Sequence, residues 1–126
     1  MDYYRGNFYR ESADLRGWLL GRFMAGKGVN DARNTDKFEV KFWKFKKGED
    51  AKHLPKYQKT ATECTFILKG KIMGEIKSQP IVLEAGEYVV IPPGTVSNFP
   101  KTVIEDVEGL TIKAPSAEGD TVKLSA

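Results

Sequence analysis

The sequence predicts an all-β domain, an antiparallel sandwich or barrel, preceded by a short irregular or helical segment. About eight short runs rich in β-branched and aromatic residues follow one another, and turns containing glycine or proline separate them at close spacing. Almost no stretch has the periodicity of an amphipathic helix, which a fold of alternating strands and helices requires. A chain of 126 residues has the common size of one domain.

The first part of the chain, residues 1–35, is expected to form an extension, and residues 36–126 are expected to form the barrel. Glu11 to Leu15 predict a single helical turn with Ser12 as its candidate N-cap. The apolar run at 16–24 is interrupted by glycines, and it is too short to distinguish a strand from a hydrophobic flap.

The barrel strands show two kinds of pattern. Phe38 to Phe45 first alternate between apolar and charged residues, with Lys41 on the charged face, and then become apolar on both faces. This predicts a strand that is buried on both sides toward one end. The polar residues at 53–60 predict an irregular connection. Further strands are predicted at 62–68, after Gly70, and at 81–83, 88–91, 102–104, 109–112 and 121–124.

Composition argues against several classes of protein. No run of about 18 apolar residues is present, so no membrane span is expected. The first ten residues lack the apolar core of a secretory signal. The single cysteine, Cys64, cannot form an internal disulfide, so a reducing cytoplasm is expected.

The net charge of +3 conceals a basic stretch at residues 37–59, where eight lysines face three acidic residues. One interpretation is that these lysines form the solvated face of strands and a loop. The other is a cavity mouth that attracts small anionic molecules. Nucleic acid is not expected as a partner, because the stretch contains no arginine and matches no nucleic-acid-binding motif.

Two motifs resemble those of the cupin superfamily. Glu63 is followed by six residues and Gly70, as in the second half of the first cupin motif, and Gly86 is followed by five residues and Pro92-Pro93-Gly94, as in the second. The resemblance covers residues 48–98 and implies a double-stranded β-helix, or jelly-roll barrel, with a pocket in its mouth. It does not imply one function, since this fold hosts isomerases, epimerases, dioxygenases, regulators and storage proteins.

The sequence departs from the family at the metal-binding positions. Lys56 and Gln58 stand where the resemblance places a His-x-His pair, and Ser97 stands where it places a third histidine. Only Glu63 of the ligand set remains. A charged lysine has no lone pair to give a metal, and the single histidine of the chain cannot supply several imidazoles. We therefore expect no bound metal and no cofactor.

The favoured hypothesis is a metal-free cupin that binds a small polar or anionic molecule in the barrel mouth. The candidate ligand-binding residues are Trp43, Lys56, Gln58, Glu63 and Ser97. A homodimer is also expected, because cupins commonly form dimers and pairing protects the edges of a small open sheet.

Three alternatives remain open at this stage. The first is a metal-independent isomerase or epimerase of the sugar type, with His53 as base, Tyr57 as acid partner and Glu63 as oriented carboxylate. The second is a metal-dependent enzyme that uses His53, Glu63 and non-standard ligands. The third is a structural partner protein whose pocket is filled by its own side chains. His53 also has a simpler interpretation, an exposed imidazole in a loop.

Overall fold

The computed structural model describes residues 2–49 and 53–124. Within these residues, eight strands join one antiparallel sheet that curls on itself. The strands are β1 (Trp18–Leu20), β2 (Glu39–Phe45), β3 (Lys56–Gln58), β4 (Thr62–Ile76), β5 (Gln79–Glu84), β6 (Tyr88–Ile91), β7 (Ser97–Ala114) and β8 (Thr121–Lys123), and the helices are α1 (Phe8–Glu11) and a 3₁₀ helix (Arg22–Lys27). Neither of these helices is long and apolar enough to cross a membrane.

Two long strands, β4 and β7, form the centre of the sheet. They pair with each other, β4 also pairs with β5 and β6, and β7 also pairs with β2 and β3. The sequence predicted two separate strands in each of these regions, and that division is wrong. In β4 the chain bends without ending at Gly70, where φ is +82° and an added Cβ would lie 1.9 Å from the carbonyl oxygen of Asp106. Only glycine fits this bend.

The N-terminal extension is part of the sheet, because β1 pairs with β2. The predicted cap of its helix is wrong: Asn7 is the N-cap, its side chain accepting a hydrogen bond from the Arg10 amide at 3.2 Å, whereas Ser12 is the C-cap. Phe8 and Tyr9 then pack against Phe42, with ring centroids 5.1 and 5.2 Å apart. This covers the outer side of β2.

The polar segment at 53–60, predicted to be irregular, contains the short strand β3. Three residues with two polar side chains give no recognisable strand pattern, and tertiary pairing decides the conformation. Lys56 pairs with Ser97 of β7, while β8 pairs along the other edge of β3. Gly94, in the turn after β6, donates its amide to the Gln58 carbonyl at 2.8 Å. These contacts place β3 at the mouth of the barrel.

The apolar core fills the barrel beyond this mouth. Its buried residues come from β4, β5 and β7, and they are Ile67, Ile72, Leu83, Phe99, Val103 and Val107. The outer face of β6, by contrast, presents large apolar side chains to solvent, since Tyr88 and Val90 are more than half exposed there.

Candidate functional site

Strand register arranges the inner surface of the barrel in rows. Neighbouring residues on β4, β7 and β2 form the rows Glu63–Lys113–Glu39, Thr65–Thr111–Lys41 and Ile67–Gly109–Trp43. The first row is charged, the second is mainly polar and the third is apolar or aromatic. Polarity therefore decreases from the mouth toward the core, as expected of a site that binds a polar group over an apolar floor.

A cavity of about 90 Å³ lies among these rows; we call it the inner cavity. Three lysines from three different strands line it, Lys41, Lys56 and Lys113, together with the single carboxylate of Glu63. Trp18, Trp43 and Phe45 supply aromatic walls. Four of the seven candidate site residues, His53, Lys56, Glu63 and Trp43, thus meet in one cavity.

Two lysines of this cavity, Lys56 and Lys41, are in an unfavourable environment for their charge. Burial lowers the pKa of Lys56; the Glu63 carboxylate opposes this shift, and Lys113, Lys41 and Lys123 add to it. Burial also lowers the pKa of Lys41, and Lys113 lowers it further. Like charges held together in a partly desolvated cavity are typical of functional sites.

The lysines of the basic stretch that the structure describes, all but Lys52, divide into two groups. The members that lie on the solvent side are Lys37, Lys44, Lys46, Lys47 and Lys59, all exposed. Lys41 and Lys56 are half-buried and line the inner cavity. The charged face of β2, from which Lys41 projects, is thus the face that turns into the barrel.

Glu63 is 5% exposed, and its carboxylate is held by an amide rather than by a close ion pair. Gln58 Nε2 donates to Glu63 Oε2 at 3.3 Å, while Gln58 Oε1 accepts a hydrogen bond from Thr121 Oγ1 at 2.7 Å. No salt bridge within 4.0 Å involves Glu63 in residues 2–49 and 53–124. The other carboxylate oxygen is available to accept a hydrogen bond from a ligand.

His53 lines the inner cavity although much of its surface is exposed. Burial of its ring lowers its pKa below the ordinary 6.5, and the positive charges of Lys56, Lys41 and Lys123 lower it further. The imidazole is therefore neutral near pH 7 and able to accept a proton. It faces the same cavity as Glu63.

Trp43 is held in place by two neighbours on β7. Its Nε1 donates to Thr111 Oγ1 at 2.9 Å, and its six-membered ring lies over Gly109, where an added Cβ would be 2.3 Å from Cζ2. Thr65 Oγ1 lies 3.4 Å from Thr111 Oγ1 and extends this polar contact to β4. A glycine at 109 is thus required for the position of the indole.

Three candidate site residues, Tyr57, Gln58 and Ser97, do not line the inner cavity. Gln58 acts on it through its hydrogen bond to Glu63. Tyr57 lies between Lys56 and Gln58 on β3, and because side chains alternate along a strand its phenol projects from the opposite face. Its position does not support the predicted role as acid partner. Ser97 is 4% exposed and lies opposite Lys56 in the register, but its side chain is not among those that line the inner cavity.

Sequence reasoning missed Lys113 and Thr111 altogether and did not select Lys41 as a candidate. Lys113 lies one residue beyond the predicted strand at 109–112. The signal for Lys41 was present, since it shares its face of β2 with Trp43 and Phe45. Apolar residues two and four positions beyond a lysine indicate that the lysine also points inward.

The residues of the inner cavity do not fit the transition metal that the fold family implies. Such an ion needs three or four donors, mostly imidazole and carboxylate. No group of three or more His, Cys, Asp or Glu side chains able to hold a metal ion occurs in the described parts of the chain. The positions that the motif assigns to histidine carry an ammonium, an amide and a hydroxyl, and the ammonium repels a cation.

No protein-family model and no curated protein sequence matches the chain. Solved structures do. A conserved protein from Klebsiella pneumoniae with a double-stranded β-helix domain has a TM-score of 0.62 at 16% identity, over 73% of this chain and 78% of that one. A cupin protein from Bacteroides fragilis has a TM-score of 0.59 at 19% identity, over 78% of this chain and 80% of that one. This chain has the cupin fold.

A third similar structure is a histidine-to-glutamine variant of Streptomyces Pac13 with uridine, at a TM-score of 0.61 and 15% identity. It covers 78% of this chain and 73% of Pac13. Identities this low establish the fold alone. The predicted cupin fold is therefore confirmed, and the inner cavity lies in the barrel of this cupin fold, where the motif residues Lys56 and Glu63 meet.

Proposed function

We propose that the protein binds a small anionic molecule, a hydroxylated carboxylate, in the inner cavity. The observation that carries this proposal is the convergence of Lys41, Lys56 and Lys113 on a cavity that contains one carboxylate, Glu63. An anionic group placed among the three ammonium groups would relieve their mutual repulsion. Binding of such a ligand should therefore increase the stability of the folded protein.

The remaining groups of the cavity suit the rest of such a ligand. Glu63 accepts a hydrogen bond from a ligand hydroxyl, and the Thr65 and Thr111 hydroxyls either donate or accept. Trp43 provides a flat apolar wall for the carbon chain or a sugar ring. A volume of about 90 Å³ accommodates a carboxylate and its neighbouring hydroxyl groups, and a longer ligand must extend out of it.

The test uses two probes of the same carbon chain, sorbitol and gluconate, in which a terminal hydroxymethyl group is replaced by a carboxylate. Isothermal titration calorimetry should show gluconate binding about tenfold or more tightly than sorbitol, which corresponds to about 1.4 kcal/mol. Lys56→Gln should abolish this preference, because it removes one of the three ammonium groups without shortening the side chain severely. Lys59→Gln is the matched control, since Lys59 lies just beyond β3 and is exposed.

The proposal fails if gluconate and sorbitol bind equally to the unmodified protein. It also fails if the preference for gluconate survives in both Lys56→Gln and Lys41→Gln. Circular dichroism melting curves of each variant establish that a loss of binding is not a loss of folding.

A second candidate function, a metal-independent isomerase or epimerase, is favoured by the position of His53. A neutral imidazole at the same cavity as Glu63 is suited to remove a proton from a carbon next to a carbonyl group. The electron pair of the broken C–H bond would move to the carbonyl oxygen, where Lys41 and Lys56 stabilise the enolate, and His53 would return the proton. Pac13, described as a nucleoside dehydratase, is one example of an enzyme on a similar fold.

This second candidate is tested by proton exchange in D₂O. Incubation of the protein with fructose 6-phosphate should replace the hydrogen at C1 by deuterium, as seen by NMR, and His53→Gln should abolish the exchange. Absence of exchange in the unmodified protein removes the isomerase hypothesis and leaves the binding function intact.

A further inference from the structure

A second, larger cavity adjoins the inner one; we call it the outer cavity. Its volume is about 690 Å³, within the usual range for small-molecule sites. It lies between the N-terminal segment at 14–27 and the loop at 115–121. Trp18 and Lys113 belong to the linings of both cavities, so the two cavities lie next to each other at these side chains.

The acidic groups in the wall of the outer cavity are mostly engaged by the protein itself. Glu39 Oε1 accepts a hydrogen bond from Ser116 Oγ at 3.0 Å. Asp120 accepts hydrogen bonds from the Thr60 amide at 2.8 Å and the Ala61 amide at 3.0 Å. These carboxylates therefore offer little to a ligand.

Unlike these carboxylates, the Arg22 guanidinium is not fully hydrogen-bonded within the described residues. Its Nε is buried and has no hydrogen-bond partner in the described parts of the chain, and its Nη1 lies 3.8 Å from the highly exposed Glu118 carboxylate. The Arg22 amide donates to Ser116 Oγ at 3.1 Å, which fixes the base of the side chain. Arg16 and Lys27 add two more cationic groups to the same wall. A buried N–H without an acceptor is costly, and rotation of the partly exposed Arg22 side chain toward an anion in the cavity would satisfy it.

Trp18 occupies the junction of the two cavities. Its ring packs edge-on against Phe23 at 4.8 Å between centroids, and Lys41 Nζ lies 5.2 Å from its ring centroid. The indole is thereby held between the 3₁₀ helix and β2. It offers a surface on which the middle of an elongated ligand can lie.

We infer that the ligand is an elongated phosphomonoester whose hydroxylated, anionic head lies in the inner cavity and whose phosphate is bound by Arg22 in the outer cavity. This inference rests on the proposed function of the inner cavity and extends it to a substrate class. A guanidinium presents Nε and Nη donors in one plane and matches the oxygens of a phosphate in a bidentate contact. The phosphate is therefore recognised at one end of the ligand, and the carboxylate or hydroxyl groups are recognised at the other end.

The experiment measures affinity for four probes that combine two features, a carboxylate and a phosphate. The probes are sorbitol, gluconate, sorbitol 6-phosphate and 6-phosphogluconate. In the unmodified protein, the phosphate should increase affinity about tenfold or more for both sorbitol and gluconate. Arg22→Gln should abolish this gain and leave the affinity for gluconate unchanged. Arg10→Gln is the control, since Arg10 is exposed on α1.

The outcomes separate the two proposals. If the carboxylate increases affinity and the phosphate does not, or if the phosphate gain survives in Arg22→Gln, the inference about the outer cavity is wrong and the inner anion site stands. If the phosphate gain depends on Arg22 but the carboxylate has no effect, the outer site stands and the inner anion site is wrong. If none of the four probes binds, both proposals are overturned.

Discussion

Replacing Gly109 by alanine tests whether Trp43 is the fixed wall of the inner cavity. The added Cβ would lie 2.3 Å from Cζ2 and 2.6 Å from Cη2 of the indole, whereas ordinary contact begins near 3.4 Å. The ring must therefore move by about 1 Å or more. A movement of that size breaks the 2.9 Å hydrogen bond from Trp43 Nε1 to Thr111.

The free energy of unfolding should fall by about 2–4 kcal/mol. Overpacking contributes about 1–3 kcal/mol, and loss of the hydrogen bond contributes about 1 kcal/mol. For a domain of this size the melting temperature should decrease by about 8–15 °C. Guanidinium denaturation followed by circular dichroism measures the free energy, and fluorescence reports on the indole directly because the chain has only two tryptophans.

A double-mutant cycle isolates the contact. In a Trp43→Leu background the indole is absent, so Gly109→Ala should lower stability by less than about 1 kcal/mol. Gly26→Ala is the control, since a Cβ there meets nothing within 4 Å and should change stability by only a few tenths of a kcal/mol. An equal effect of Gly109→Ala in both backgrounds would refute the argument, because the strain would then come from the backbone rather than from the indole.

Two further predictions concern charged groups. Lys56→Met should raise stability by about 0.5–2 kcal/mol at neutral pH, because a charge among like charges is removed, whereas Lys59→Met should have little effect. The pKa of Lys56 in the folded protein is below 10.5, so just below pH 10.5 the unfolded chain binds more protons than the folded one. The free energy of unfolding of the unmodified protein should therefore rise with pH in that range, and it should rise less in Lys56→Met. Asp120→Asn should lower stability by about 2 kcal/mol near neutrality, as measured by denaturant titration. Burial acts to raise the pKa of Asp120, but hydrogen bonds from Thr60 and Ala61 outweigh burial and hold the pKa below 3.8. The difference in free energy of unfolding between the unmodified protein and Asp120→Asn should therefore disappear as the pH falls below that value.

The parts of the fold that were predicted depend on local signals. Tyr88 to Ile91 form a strand with the predicted bounds, because β-branched residues lie between two turn sequences. Gly86 has φ +90° in the turn before it, as expected of a motif glycine. Where Gly70 lies inside β4, the same residue type indicates a bend, and sequence alone does not distinguish a bend from a reversal.

The parts that were not predicted depend on contacts between distant residues. The two cavities are formed by β2, β3, β4, β7 and the N-terminal segment together, and the pattern of one strand does not say which other strands lie beside it. Lys41 and Lys113 come together only because β7 pairs with β2, and Glu63 joins them because β7 also pairs with β4. The predicted homodimer stays a prediction; the exposed Tyr88 and Val90 on the outer face of β6 are the residues to examine first.

The correspondence between this chain and the metal-binding cupin motif can itself be tested by restoring the lost imidazoles. Lys56 and Ser97 are paired across β3 and β7, and Gln58 Nε2 lies 3.3 Å from Glu63, so side chains at these four positions approach one another. The combined substitution Lys56→His, Gln58→His and Ser97→His removes an ammonium and supplies three nitrogen donors beside an existing carboxylate. This variant should bind one Co²⁺ per chain, with visible absorption bands characteristic of nitrogen and oxygen ligands, whereas the unmodified protein should bind none.

Because Lys56→His alone removes the repulsion but supplies one imidazole, it should bind Co²⁺ at least about tenfold more weakly than the combined variant. If the combined variant folds, as its circular dichroism would show, and still binds no Co²⁺, then positions 56, 58 and 97 do not correspond to the family's ligands. The lysines of the inner cavity would in that case be an independent feature of this chain rather than a replacement of a metal ion by fixed positive charge.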